Sequence, residues 1–299
     1  MRYETIKSGI FRERPNRFTA CVETEGSRET VHVKNTGRCR ELLIPGVKVY
    51  LSQAGNRKNR KTNWDLVCVE KRRPGRKPLL INMDSQIPND AAEEWLKKGE
   101  LFGKTARIRR EVTYGGSRFD FRIDDEKGKC HYLEVKGVTL EEDGVALFPD
   151  APTERGVRHL KELAACAKAG FGAWILFVIQ IKGMRVFRPN RAMHEDFARA
   201  LIEARKSGVK ILARECEVTP NSLEVAGPVP VELAAEKHFH INRTNQQQTP
   251  SNTRRNTQNV RHPESHERRD PPSRQKRNQS SHGPASGSRL RTEETDSGT

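Results

Sequence analysis

Seven consecutive apolar residues, Ala173-Trp174-Ile175-Leu176-Phe177-Val178-Ile179, restrict the fold of this chain more than any other segment. A strand with one wet face alternates apolar and polar residues, because successive side chains point to opposite sides. A run without alternation belongs to a strand covered on both faces, and helices on both sides of a sheet are the usual cover. The flanking sequence can supply them. A helix is expected over about Thr153–Ala169, ending at Gly170, and another over about His194–Lys206, stopped by Gly208, before a strand at Lys210–Ala213. Upstream, Asn89 and Asp90 are placed to cap a helix that reaches Lys98 and ends at Gly99. Three strand-like runs follow, Arg107–Tyr114, Arg118–Ile123 and His131–Lys136, with Gly115-Gly116 turning between the first two. This alternation indicates an α/β sheet with helices packed on it.

The first eighty residues keep a different rhythm. Short strand-like runs at Phe18–Thr24, Glu29–Lys34, Val47–Ser52 and Trp64–Glu70 are punctuated by Gly26, Gly37, Gly46 and Gly55. Such spacing indicates a small barrel or sandwich. Two connecting segments are strongly basic, Arg57-Lys58-Asn59-Arg60-Lys61 and Lys71-Arg72-Arg73-Pro74-Gly75-Arg76-Lys77. Basic loops on a small barrel are how oligonucleotide-binding (OB) folds grip a phosphate backbone; solvated hairpin tips are the plainer explanation.

The formal charge of +16 favours a polyanionic partner, nucleic acid first. A membrane surface would want a basic amphipathic helix with bulky apolar anchors, and none is present, so no membrane partner is expected. Composition changes after about Leu233. Residues 232–299 carry 12 Lys and Arg against 8 Asp and Glu, with few large apolar side chains to offset ordering entropy. A disordered basic tail is expected there. Subtracting its net +4 from +16 leaves +12 on the body. Six cysteines stand singly, without a C-x-x-C pair, so neither structural zinc nor a disulfide framework is expected. The opening residues lack the apolar stretch of a secretion signal, and the expected location is cytoplasmic.

Chemistry concentrates in Ser117-Arg118-Phe119-Asp120-Phe121 and Tyr132-Leu133-Glu134-Val135-Lys136-Gly137. Residues two apart on a strand share a face, so Glu134 and Lys136 point one way and Val135 the other. Asp120 stands between Phe119 and Phe121, which are expected to occupy the opposite, apolar face. If the two strands pair, Asp120 and Glu134 meet over one site. Two carboxylates can hold a hard cation, Mg²⁺ or Mn²⁺, which polarises a phosphodiester and lowers the pKa of a bound water. A lysine beside them orients that water or stabilises the developing charge. A third carboxylate from a helix often completes such a site, and Glu94, with Glu93 as the alternative, is the candidate. Glu-x-Lys is also common on ordinary solvated strand faces. Motif and charge together point to a nuclease without establishing one.

At these residues the chain resembles the sugar fermentation stimulation protein A (SfsA) family. The matching segments are Asn35-Thr36-Gly37, Leu43-Ile44-Pro45-Gly46, RFDF at Arg118–Phe121, LEVKGVTL at Leu133–Leu140 and, most specifically, ALFPDAPTERGVRHLKEL at Ala146–Leu163. The resemblance spans about Ile6 to Leu223 and leaves out the tail. It implies an OB-like nucleic-acid-binding barrel over residues 1–84, a PD-(D/E)XK nuclease-like α/β domain over 85–231, and a tail over 232–299. The nuclease pattern maps onto Asp120, Glu134 and Lys136, with Glu94 as the helix carboxylate. Gln180 falls where such folds keep a polar active-site residue, a strand-end group facing water being the alternative. Arg155 and His159 share a helical face where, with Arg158, they could meet a phosphate; ordinary surface charge is the competing explanation. The function implied is DNA binding with a metal-dependent phosphodiesterase site and little sequence specificity. The alternative is a non-catalytic DNA-binding regulator of sugar (maltose) metabolism genes. Oligomeric state is open, a dimer among the options.

Overall fold

The computed structural model describes residues 1–233 apart from 36, 38 and 56–59. Arg57, Lys58 and the expected tail beyond residue 233 therefore lie outside the described residues. The first strands are β1 (Ile6–Glu13), β2 (Thr19–Thr24), β3 (Ser27–Val33), β4 (Lys48–Gln53), β5 (Trp64–Arg73) and β6 (Arg76–Asn82). They hydrogen-bond in the order β3-β2-β1-β4-β5-β6, and a further pairing of β3 with β5 closes the first five into a barrel. β1 was not expected, because Lys7, Ser8 and Gly9 interrupt its apolar pattern. Gly9 is there for closeness: a Cβ would stand 2.5 Å from the Val22 side chain across the barrel wall. The basic segment 71–77 is also corrected. It is strand rather than loop, with Arg72 and Arg73 inside β5 and only Pro74-Gly75 turning, Gly75 at φ +66°.

The second half contains α1 (Ile87–Lys97), β7 (Arg107–Tyr114), β8 (Ser117–Asp124), β9 (Cys130–Val138), β10 (Leu140–Glu142), β11 (Val145–Phe148), α2 (Glu154–Lys168), β12 (Gly172–Ile179), β13 (Val186–Pro189), α3 (Glu195–Lys206), β14 (Lys210–Thr219) and β15 (Ser222–Pro228). The main sheet runs β15-β14-β12-β9-β8-β7, parallel at β9-β12-β14 and antiparallel at its edges. The apolar run is its central strand. Ile175, Phe177 and Ile179 pack with Leu160 and Leu163 of α2 and Phe197 and Leu201 of α3. Leu176 and Val178 pack on the other face with Trp95 and Leu96 of α1. A double-sided cover is what the missing alternation required. Among the described residues no helix is long and apolar enough to cross a membrane.

Two boundaries differ from expectation for physical reasons. α1 begins at Ile87, with Pro88 in its first turn, where a missing N–H costs nothing. Asn89 and Asp90 are therefore inside the helix, and neither caps it. β14 continues past Ala213 because β15, too polar to be read as a strand, pairs along its outer edge. A small separate sheet, β10-β11-β13, was likewise not expected. It rests against the barrel through the buried Glu141, whose carboxylate receives Lys71 of β5 at 2.7 Å.

Candidate active site at the parting of two strands

β8 and β9 pair from Asp124↔Cys130 as far as Phe121↔Leu133, and there they part. The outer hairpin twists at the same level. β7 and β8 pair on either side of Glu111 and Asp120 (Arg110↔Phe121, then Val112↔Phe119), and Glu111 has a left-handed φ of +54°. Side chains change faces across this point. Phe121 and Ile123 belong to the core under α1, whereas Phe119 belongs to the core under α2, against Tyr132 and His159. The expectation that Phe119 and Phe121 share one face is thus incorrect. The twist breaks the two-residue repeat at Asp120.

That break puts the Asp120 carboxylate into the gap between the strands. Its Oδ2 accepts the Val135 backbone N–H at 2.7 Å, in place of a ladder bond, and its Oδ1 accepts from Asn89 Nδ2 at 2.9 Å. Glu134 stands beside it, 3 % exposed. Glu134 Oε1 accepts from Lys136 Nζ at 2.5 Å and pairs with His159 Nδ1 at 2.5 Å. Arg155 Nε donates to His159 Nε2 at 3.3 Å. Nε2 must then be the bare nitrogen, so Nδ1–H is the donor to Glu134. The second oxygen of Glu134, Oε2, is buried without any hydrogen-bond partner.

The two carboxyls are pushed apart electrostatically. Burial, and then the charge of Glu134, raise the Asp120 pKa above the ordinary aspartate value. Burial works in the same direction on Glu134, but the hydrogen bonds of His159 and Lys136 and the lysine charge outweigh it, and its pKa is lowered. Glu134 is thereby held as the firmly ionised member of the pair.

The other candidate residues are distributed as follows. Glu94 is not at the site: its carboxylate is 57 % exposed and pairs with the Met1 amino group. Glu93 is engaged by Lys97 and Arg110 at 2.6 and 3.1 Å. On α1 it is Asn89, one helical turn before Glu93, that faces Asp120. Gln180 is 1 % exposed, so it does not face water. Its Nε2 donates to Asn82 Oδ1 at 3.1 Å and to Asp84 O at 3.0 Å, tying the end of β12 to the end of the barrel. His159 is buried and cannot be a surface phosphate contact; it orients Glu134 instead. Arg155 and Arg158 are exposed along α2. Arg60 is neutralised by the buried Asp65, while Lys61 is exposed. Arg72 and Arg73 donate to the carbonyls of Gly46 and Lys77 at 2.8 and 2.9 Å. Sequence reasoning missed Asn89 and the role of His159; the Arg155–His159 spacing was the available signal for the latter.

Among the described residues no three His, Cys, Asp or Glu side chains come together as a metal cluster. The site offers a pair of carboxylates and one unpartnered buried oxygen. A hard divalent cation keeps several waters, so two carboxylates suffice, and each oxygen of Asp120 retains a lone pair. The donor set fits such a cation.

A closed five-stranded OB-type barrel followed by an α/β domain built on a six-stranded mixed sheet is the class these features define. The family models named SfsA N-terminal OB domain and sugar fermentation stimulation protein RE domain match residues 13–77 and 86–222. A sugar fermentation stimulation protein homolog of Desulfitobacterium hafniense is 53% identical over 233 residues, 78% of this chain and 99% of the relative. A homolog of Ruminiclostridium cellulolyticum is 50% identical, over 78% of this chain and 100% of its own. The chain belongs to the sugar fermentation stimulation protein (SfsA) family. The solved structure of Pyrococcus furiosus SfsA in complex with Ca²⁺ is 31% identical and superimposes with a TM-score of 0.68, covering 78% of this chain and 98% of that one.

Proposed function

We propose that this protein is a DNA-binding, metal-dependent phosphodiesterase of the PD-(D/E)XK type, in which residues 1–84 grip the backbone and residues 85–231 cut it. The observation that carries this reading is the unpartnered, buried Oε2 of Glu134 beside Asp120 and Lys136. A buried carboxylate oxygen left without a donor costs stability, and a cation is the natural partner for it.

Asp120 and Glu134 would hold Mg²⁺ or Mn²⁺, which when bound supplies Lewis acidity and a water of lowered pKa. Lys136 keeps a positive charge beside the place where phosphoryl charge builds up. His159 fixes the Glu134 rotamer, and Asn89 and the Val135 N–H fix Asp120. Arg155 and Arg158 on α2, with Lys61, Arg72 and Arg73 on the barrel, meet flanking phosphates. Such contacts position a duplex without reading its sequence. The protein acts in the cytoplasm on this reading.

The test is incubation of the purified chain with single-stranded, duplex and branched DNA in Mg²⁺ or Mn²⁺. Cleavage is expected, and Lys136→Ala should abolish it while a gel shift shows DNA still bound. Binding without cleavage of any substrate by the unaltered protein would leave the non-catalytic regulator.

A further inference from the structure

Immediately beyond Lys136 lies a cleft of about 340 Å³ that the phosphodiesterase reading leaves without a role. It lies between the barrel loop at Asn35 and Gly37, the segment Leu147–Thr153 before α2, and the strand ends at Gly137 and Gln180. The volume is at the lower end for small-molecule sites, which run from roughly 300 to 1,000 Å³, so it admits one nucleoside and no duplex.

Three features say what it would accept. Gln180 is buried, its Nε2 is held by Asn82 and Asp84, and among the described residues none donates to its side-chain carbonyl oxygen. That oxygen lies against Gly137, where a Cβ would come within 2.6 Å of it, so only glycine leaves the approach open. The described lining contains no Lys or Arg, and its charged member is Asp150. The Asp150 carboxylate on this wall favours a donor group over an anion. Leu140, Leu147 and Phe148 supply apolar wall. Acceptors at Gln180 and Asp150, with the polar Asn35, Ser85, Thr139 and Thr153 and the apolar wall around them, suit a ring that presents N–H groups, such as the exocyclic amine or ring N–H of a nucleobase.

We infer that this cleft receives a single nucleobase swung out of the stack, from the strand whose phosphate lies at Asp120 and Glu134. The inference rests on the DNA-cutting reading and deepens it. The substrate class becomes DNA with an unpaired, mismatched or easily unstacked base near the cut, since unstacking such a base costs least.

Duplexes carrying one 2-aminopurine, moved stepwise along the strand, are bound to the intact chain in Ca²⁺, and emission is read. A rise confined to one position is expected, because the base brightens when it leaves the stack. Leu147→Trp fills the cleft without touching the carboxylates; it should erase the rise while gel-shift affinity is kept. Leu140→Trp serves the same purpose if the first variant does not fold. Bound DNA that brightens at no position overturns the inference, as does brightening that persists in the filled variants. So does saturable binding of a free deoxynucleoside monophosphate with no rise on DNA, which makes the cleft a small-ligand site. Failure of the gel shift itself removes the DNA reading underneath, and is thereby distinguished from failure of the cleft.

Discussion

Glu134 and Glu141 are both 3 % exposed and both paired with a lysine, one on the main sheet and the other on the small separate one. Glu141 belongs to the β10–β11 hairpin. Its Oε2 takes Lys71 at 2.7 Å, its Oε1 takes the Gly144 N–H at 2.8 Å, and Lys71 also donates to its carbonyl at 2.6 Å. Burial raises its pKa, but the Lys71 hydrogen bond and the Gly144 N–H overcome this and lower it. Nothing is left over. Glu134, at the parting of β8 and β9, gives both of its donors to one oxygen and leaves the other bare. The difference separates a structural ion pair from a site, because a folded chain rarely leaves a buried carboxylate oxygen unsatisfied unless something else binds it.

The strongest way to break that contrast is to neutralise each glutamate. Glu134→Gln should lower the cleavage rate by about three orders of magnitude or more, with the fold intact by circular dichroism. Glu141→Gln should leave the rate constant unchanged at temperatures where the protein is folded. Equal losses in the two variants would mean that both act only through stability. A urea titration sharpens the comparison from the lysine side. Lys71→Met leaves Glu141 buried against a lost charge and should cost about 3 kcal/mol. Lys136→Met should cost less, because His159 still satisfies Glu134 Oε1.

Asp120 gives a smaller effect with a defined sign. Its folded-state pKa is raised, so its ionised form is disfavoured by folding; this stabilises the fold below the unfolded pKa and is lost as pH rises through the folded one. At neutral pH without metal, Asp120→Asn should therefore raise Tm by a few degrees, and the gain should vanish below about pH 4. Divalent cations should stabilise the unaltered protein and not the variant. A variant no more stable at any pH would remove the electrostatic account of the pair. The smallest effect belongs to Glu94→Ala. Its exposed pair with the Met1 amino group should be worth under about 1 kcal/mol, with cleavage unchanged. A large loss of cleavage would return Glu94 to the site.

Much of this arrangement was legible along the chain. The uninterrupted run at Ala173–Ile179 required a strand covered twice, and helices with Thr153 at one cap and Gly170 after the other end were readable from local chemistry. The shared face of Glu134 and Lys136 followed from a two-residue period. The barrel was less legible, since β1 is too polar to stand out and its closure depends on β3 meeting β5, far apart in sequence.

Residue order alone thus dictated what depends on neighbours within a few positions: periodicity, turns, caps, and the Glu134–Lys136 face. The assembled fold had to choose Asn89 over Glu94, turn His159 inward onto Glu134, and send Phe119 and Phe121 into separate cores. Those outcomes depend on the twist at Glu111 and Asp120 and on where α1 begins against the sheet. Such angles are set by packing between distant segments, and a local pattern carries no record of them.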